Sequence, residues 1–308
     1  MSFRLFIHYC AFCGGWAAFF GWVLGRLASV PGFHPVFNST IKGIFLGMMV
    51  AFGLGLVDAL WNLGWRQPVQ IVSRVAVAVL VGSIGGLTGA LVGSLLYSLI
   101  PWDIFIILGW TLTGLLIGAS VGMFDILSNV LRDENMGGSL RKVVNGVIGG
   151  TMGGLLGGVL SVLLRGFWMN IFHDKSSDML WSPSAMGFVA LGMCIGLFIG
   201  LAQVILKEAW LRVESGFRPG REMILSKPET TIGRAESCDL GLFGDPDIER
   251  LHARIVRRNN GYVLEDAGFT TGTLLNGQRI HEPVPLRLGD AIQVGRSVLR
   301  FGERKKSS

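Results

Sequence analysis

Three polar side chains interrupt apolar runs at matching places. Asp58, Asp125 and Gln203 each stand three residues after the last member of a small-residue row spaced by four: Gly47/Ala51/Gly55, Gly114/Gly118/Gly122 and Gly192/Gly196/Gly200. A carboxylate in an apolar segment is costly, and it marks either an ion or substrate path or a paired anchor. Two aspartates at equivalent positions are what a symmetric ion site would need, although Gln203 breaks the set of carboxylates. Close to the segment ends, the same aspartates could instead pair with Arg66, Arg74, Arg132 or Arg141. The sequence leaves both readings open. Cys10-x-x-Cys13 has redox spacing but lacks the strand–helix–strand setting of that motif. The five histidines (His8, His34, His173, His252 and His281) show no paired ligand spacing, so no metal and no cofactor is expected. No Walker-type phosphate loop, nucleophile elbow or kinase signature occurs, and no enzymatic activity is expected.

The elements that position these residues follow from composition. The 308-residue chain is 50% hydrophobic and only 16% charged, with mean hydropathy +0.53. Soluble domains carry about 25% charged residues, so most of this chain is not built to face water. Residues 1–205 hold 10 Lys/Arg and 7 Asp/Glu, whereas residues 206–308 hold 17 and 14. That contrast divides the chain into a multi-pass membrane domain (1–206), a helical exit and linker (207–221) and a soluble domain (222–304). Both parts carry modest positive charge with the signs interspersed, and no basic run points to nucleic acid.

Six apolar stretches are long enough to span about 30 Å of hydrocarbon, at about 5–28, 43–63, 75–100, 104–128, 143–165 and 185–206. Arg66, Arg74, Arg132, Arg141, Lys142 and Arg4 then fall on one side, and Arg26, Lys42, Arg165 and Lys175 on the other. This modest bias, with an even number of spans, puts both termini in the cytoplasm of a cell whose inner (plasma) membrane holds the bundle. Spacing by four aligns small residues on one helix face, so that backbones can approach closely. Paired glycines at Gly14-Gly15, Gly85-Gly86 and Gly149-Gly150 mark the odd-numbered stretches, and the whole reads as one helical hairpin repeated three times.

The soluble part changes to short β runs at Met223–Leu225, Ala253–Val256, Tyr262–Leu264, Ala291–Val294 and Val298–Phe301, with turn signals such as Asn276-Gly277 between them. That spacing predicts an all-β sandwich. Its ordered landmarks are Thr231-Ile232-Gly233-Arg234, Cys238-Asp239-Leu240, Arg250-Leu251-His252-Ala253, Tyr262–Asp266, Gly272–Gly277, Gly289-Asp290 and Ile292–Gly295. Together they resemble a forkhead-associated (FHA) domain over roughly residues 222–303.

The resemblance implies an eleven-stranded sandwich whose loops at one end bind phosphothreonine peptides. By position, Gly233 and His252 are structural, Arg234 is the phosphate-binding arginine, and Arg250 is the basic residue of the next loop. Gly272 follows the position that reads the peptide backbone. Two positions depart from the family: Glu249 stands where a phosphate-contacting serine is usual, and Thr271 where an asparagine is usual. A carboxylate about 4 Å from a phosphate costs about 4 kcal/mol before screening, so phosphothreonine binding is expected to be weak. The Glu249 carboxylate is expected to approach Arg234 and occupy the phosphate's place. The alternative partners for Arg234 are Asp239 and Glu236.

Together these readings predict a membrane-anchored docking protein. Its partners are the bilayer and a cytoplasmic protein, phosphothreonine proteins included. The alternative is a small channel or transporter regulated by its FHA domain.

Overall fold

The computed structural model describes residues 3–30, 32–63, 68–131, 137–172, 183–206, 209–225, 229–258, 261–268 and 272–304. The chain divides into two compact units, Arg4–Leu206 and one containing Lys207–Ser308.

The first unit comprises α1 (Phe3–Ala28), α2 (Pro35–Leu63), α3 (Pro68–Leu99), α4 (Asp103–Leu131), α5 (Gly137–Phe172) and α6 (Pro183–Ile205). Six helices among the described residues are thus long and apolar enough to cross a membrane. Proline opens α2, α3 and α6, where its missing N–H has no helical partner to lose. Hydroxyls inside the apolar segments return to their own helix. Thr111 and Thr113, for example, donate to the carbonyls four residues earlier at 2.8 and 3.1 Å.

Glycine sets the distance between helices. A Cβ added to Gly47 would lie 2.9 Å from Gly86 Cα, and one on Gly114 would lie 2.9 Å from Gly154 Cα. Gly14 meets Gly196 Cα at 3.3 Å in the same sense, and Gly93 meets Gly109 Cα at 3.0 Å. Gly21 faces Leu46 and Gly149 faces Ile199 at the two remaining crossings. Each helix therefore touches the next, and α6 returns to α1.

Inside, α2, α4 and α6 also touch one another. Their buried residues fall at matched positions 67 and then 78 residues apart. Leu46, Thr113 and Leu191 form one set, Val50, Ile117 and Ile195 the next, and Leu54, Val121 and Ile199 the third, all buried. The fourth set is Asp58 and Gln203, both buried, and the partly buried Asp125. The hairpin repeat is therefore visible in the packing, with one correction to its register. The odd helices align on Gly14, Gly82 and Gly150, each seated between successive small residues of the preceding even helix (α6 for Gly14), and not on the paired glycines. The repeat is defined by what faces the neighbouring backbone, which adjacent glycines do not specify.

The second unit is a two-sheet sandwich of eleven strands among the described residues. These are β1 (Ala209–Ser215), β2 (Glu222–Ile224), β3 (Glu229–Gly233), β4 (Leu240–Gly241), β5 (Ala253–Arg258), β6 (Gly261–Asp266), β7 (Thr273–Leu275), β8 (Gln278–Arg279), β9 (Val284–Pro285), β10 (Ala291–Val294) and β11 (Ser297–Glu303). One sheet has the order β2-β1-β11-β10-β7-β8 and the other β4-β3-β5-β6-β9. Leu211, Ile232, Ile255, Leu264, Ile292, Leu299 and Phe301 form the fully buried layer between them.

β1 overturns the expected helical exit and linker. Residues 209–215 pair with β11 (Leu211 opposite Phe301, Val213 opposite Leu299) and with β2. Ala209, Leu211 and Val213 are buried, and Arg212 and Glu214 are exposed. The charges are the outward half of an alternating strand, so the sandwich begins at Ala209 and not near residue 222.

Candidate functional site

The loops that carry the candidate peptide site are fixed mainly through the backbone. β3 ends at Gly233, where a Cβ would stand 2.9 Å from the Arg250 carbonyl carbon; only glycine permits that approach. Just beyond it, the Arg234 N–H donates to the Glu249 carbonyl at 2.8 Å and the Ala235 N–H to that of Arg250 at 2.9 Å. The Cys238 thiol also reaches the Arg250 carbonyl, at 3.1 Å, and burial pushes that thiol's pKa up.

His252 joins this pair of loops to a third. It is fully buried. Its Nδ1 accepts the Glu249 N–H at 3.2 Å, which leaves Nε2 protonated to donate to the Gly272 carbonyl at 3.1 Å. Gly272 has φ +64°, and a Cβ there would meet the Arg279 guanidinium. Asp266 ties the two ends of the same loop together, accepting from the Thr273 hydroxyl (2.6 Å) and the Gly268 N–H (3.2 Å). Asp245 ties the loop before β5 to the β10–β11 turn by accepting the Arg296 N–H at 2.7 Å. That bond, together with the Asp247 N–H, holds its carboxyl below the usual range. All these loops gather where β1 finishes, with Phe217 against Phe243 at 5.2 Å. Ala209, where β1 starts, is at the other end of the sandwich.

Arg234 and Arg250 are exposed and Glu249 is half-buried. The expected Arg234–Glu249 ion pair does not form, and Arg234 makes no ion pair among the described residues. The reason is that the two loops meet through the Glu249 main chain, which is clamped by Arg234 on its carbonyl and by His252 on its N–H. The alternative partner Asp239 is bound to the Thr231 N–H and hydroxyl, each at 3.0 Å. Thr271 lies outside the described residues, as do Arg66 and Arg132.

The second candidate set, Asp58, Asp125 and Gln203, does come together, and it brings two cations: Arg74, one of the partners the sequence offered, and Lys142, which the sequence had counted only toward topology. Lys142 Nζ lies 2.6 Å from Asp58 and 3.1 Å from Asp125. Arg74 pairs with Asp125 and lies 3.6 Å from Asp58. Gln203 donates to the Lys142 carbonyl at 2.9 Å. Arg74 and Lys142 sit within α3 and α5 and are largely buried. A sequence signal for them exists: Phe6, Arg74 and Lys142 each precede the aligned glycine of an odd helix by eight residues. Grouped by the glycine contacts, α2 with α3 and α4 with α5 each carry an anion and a cation, and α6 with α1 carries Gln203 and Phe6. Each carboxylate already faces two internal cations, which leaves it poorly disposed to take an ion from solution. Among the described residues no cluster of metal-ligand type occurs.

A sandwich that presents braced loops with exposed arginines at one end belongs to the class of loop-based recognition modules. Comparison with known proteins fixes the family: residues 230–295 match the FHA domain, and that segment of the chain is an FHA domain. The chain is 27% identical over 123 residues to FHA domain-containing protein FhaB of Mycobacterium tuberculosis, covering 40% of this chain and 79% of that protein. It is 36% identical over 76 residues to the E3 ubiquitin-protein ligase CHFR of Xenopus laevis, covering 24% of this chain and 12% of that one. The solution structure of the FHA domain of an Arabidopsis thaliana hypothetical protein is 25% identical, with a TM-score of 0.30, over 33% of this chain and 90% of that one. FHA domains are protein-interaction modules, many of them reading phosphothreonine, and this chain carries one beside six helices able to cross a membrane.

Proposed function

We propose that this protein is a membrane-anchored docking protein. The six helices cross the inner (plasma) membrane with both termini in the cytoplasm, and the FHA domain offers its braced loops to a cytoplasmic protein. The observation that carries this reading is the combination of an intact scaffold with an altered recognition surface. Gly233 and His252 hold the loops and Arg234 is exposed, while Glu249 occupies the position of the hydroxyl donor. An arginine fork suits phosphate oxygens, but a carboxylate one loop away repels them. Recognition therefore rests less on phosphate and more on the loop surface around Arg234 and Arg250.

The test uses the full chain in lipid nanodiscs, incubated with cytosol treated or untreated with phosphatase. Retention of the same specific partner from both samples, lost on Arg250→Ala, is the expected result. Retention only from untreated cytosol would instead make the site an ordinary phosphothreonine reader.

A further inference from the structure

We propose that the four largely buried charges, Asp58, Arg74, Asp125 and Lys142, fix the sliding register of the helices in the bundle, a task that the glycine rows cannot perform alone. The rows are degenerate along the helix axis. Between α2 and α3 the facing pairs are Gly43 with Ala90, Gly47 with Gly86, Ala51 with Gly82 and Gly55 with Ala78. A slip of four residues, about 6 Å, sets Gly43 against Gly86, Gly47 against Gly82 and Ala51 against Ala78. Small residues still face small residues, and the backbones still approach closely. The α4/α5 crossing has the same property, since Gly114 and Gly118 face Gly146, Gly150 and Gly154.

The charged layer has no such degeneracy. It occurs once on each of α2 to α5, at one level, with Lys142 2.6 and 3.1 Å from the two aspartates and Arg74 3.6 Å from Asp58. The same slip would carry Arg74 and Lys142 a full helical turn away from Asp58 and Asp125 and break the ion pairs between them. Breaking a buried pair is severely destabilising, whereas replacing a whole buried set by well-packed hydrophobic residues of similar volume is often neutral or stabilising. The cross-links also join repeats, because Lys142 on α5 reaches Asp58 on α2 while Arg74 on α3 reaches Asp125 on α4. One layer therefore sets the level of four helices, and Gln203 adds α6 through the Lys142 carbonyl. A single buried polar layer specifying register in an otherwise repetitive helical interface has a precedent in coiled coils.

The experiment reads register directly by disulfide cross-linking of the full chain in membrane vesicles, with its four native cysteines replaced by alanine. Gly55→Cys with Ala78→Cys reports the native register, since the built Cβ on Gly55 lies 3.0 Å from Ala78 Cβ, close to disulfide spacing. Ala51→Cys with Ala78→Cys reports the slipped register. In the otherwise unchanged chain the first pair should cross-link and the second should not. In the neutral set Asp58→Asn, Arg74→Gln, Asp125→Asn and Lys142→Gln, the ratio should move toward the slipped pair by about tenfold or more. The balanced half-set Asp125→Asn with Lys142→Gln keeps Asp58 and Arg74 and should stay mostly native. Native cross-linking alone in the neutral set would overturn the proposal, because the glycines and loops would then fix the register unaided. Loss of both products in the balanced half-set would overturn it too, by showing that the layer acts through stability and not register.

Discussion

The helical bundle and the FHA sandwich are held together by opposite means. In the bundle the contacts depend on absent atoms: Gly47, Gly82, Gly114 and Gly150 let backbones meet, and an added Cβ would overlap the opposite helix. In the sandwich the contacts depend on atoms present, with Leu211, Leu299, Phe301 and Ile292 filling the space between two sheets. Helices able to cross a membrane have little reason to bury leucine against leucine in hydrocarbon, while a sandwich in water has every reason to do so. The bundle should therefore be broken by adding atoms and the sandwich by removing them.

The largest effect follows from removing β1. A fragment beginning at Gly216 loses Ala209, Leu211 and Val213, all buried, together with the strand between β2 and β11. A single buried leucine lost to alanine costs about 2–5 kcal/mol, so this fragment should show no cooperative thermal transition by circular dichroism. A fragment beginning at Lys207 should show one. Equal transitions for both would mean that β1 is an accessory strand.

Adding atoms to the bundle comes next. Gly150→Leu or Gly154→Leu forces helices apart at backbone contacts, whereas Leu160→Phe changes a residue that is 39% exposed. Gel filtration in detergent should give little monodisperse protein for the two glycine variants and a normal yield for Leu160→Phe.

A third comparison lies within the bundle, between charges of different burial. Lys142→Met removes a cation that both Asp58 and Asp125 face and should cost about 3–5 kcal/mol. Arg165→Met opens the exposed pair with Asp103 (2.8 Å) and should cost about 0–1 kcal/mol. Thermal stability of the two purified variants in one detergent checks the order.

The smallest effect concerns the loops of the sandwich. The Asp245 carboxyl is held below its usual range by the Arg296 N–H. Its contribution is therefore fully present above the unfolded value of about 3.9 and is lost as pH falls through the lower folded value. The protection of the Arg296 amide against exchange, relative to its unfolded rate, should be retained at neutral pH and lost only in acid below that range. Asp245→Asn should reduce it at neutral pH as well.

Sequence reasoning reached the elements whose signal is local. Six apolar runs exceed the length of a span, and the FHA landmarks are short motifs in fixed order. β1 escaped because Lys207, Glu208, Arg212 and Glu214 looked like a solvated helix, although the alternation Leu211-Arg212-Val213-Glu214 carries the strand period. Lys142 escaped, and Arg74 was reached only as one of four candidate partners, because basic residues near span ends resemble topology signals; their shared distance from Gly82 and Gly150 singles them out. The Arg234–Glu249 contact was misjudged for a different reason. Position in a family alignment fixes which loops meet, but not whether a main chain or a side chain makes the contact.

Phosphothreonine affinity measures the consequence of Glu249 most directly. The full chain in nanodiscs, titrated into a fluorescent phosphothreonine peptide library, should bind weakly by anisotropy. Glu249→Ser with Thr271→Asn should strengthen binding by about tenfold or more, a factor that corresponds to about 1.4 kcal/mol of relieved repulsion and regained hydrogen bonding. Arg234→Ala in that background should remove the gain. Tight binding by the unaltered chain, with no improvement on restoring serine and asparagine, would contradict the account.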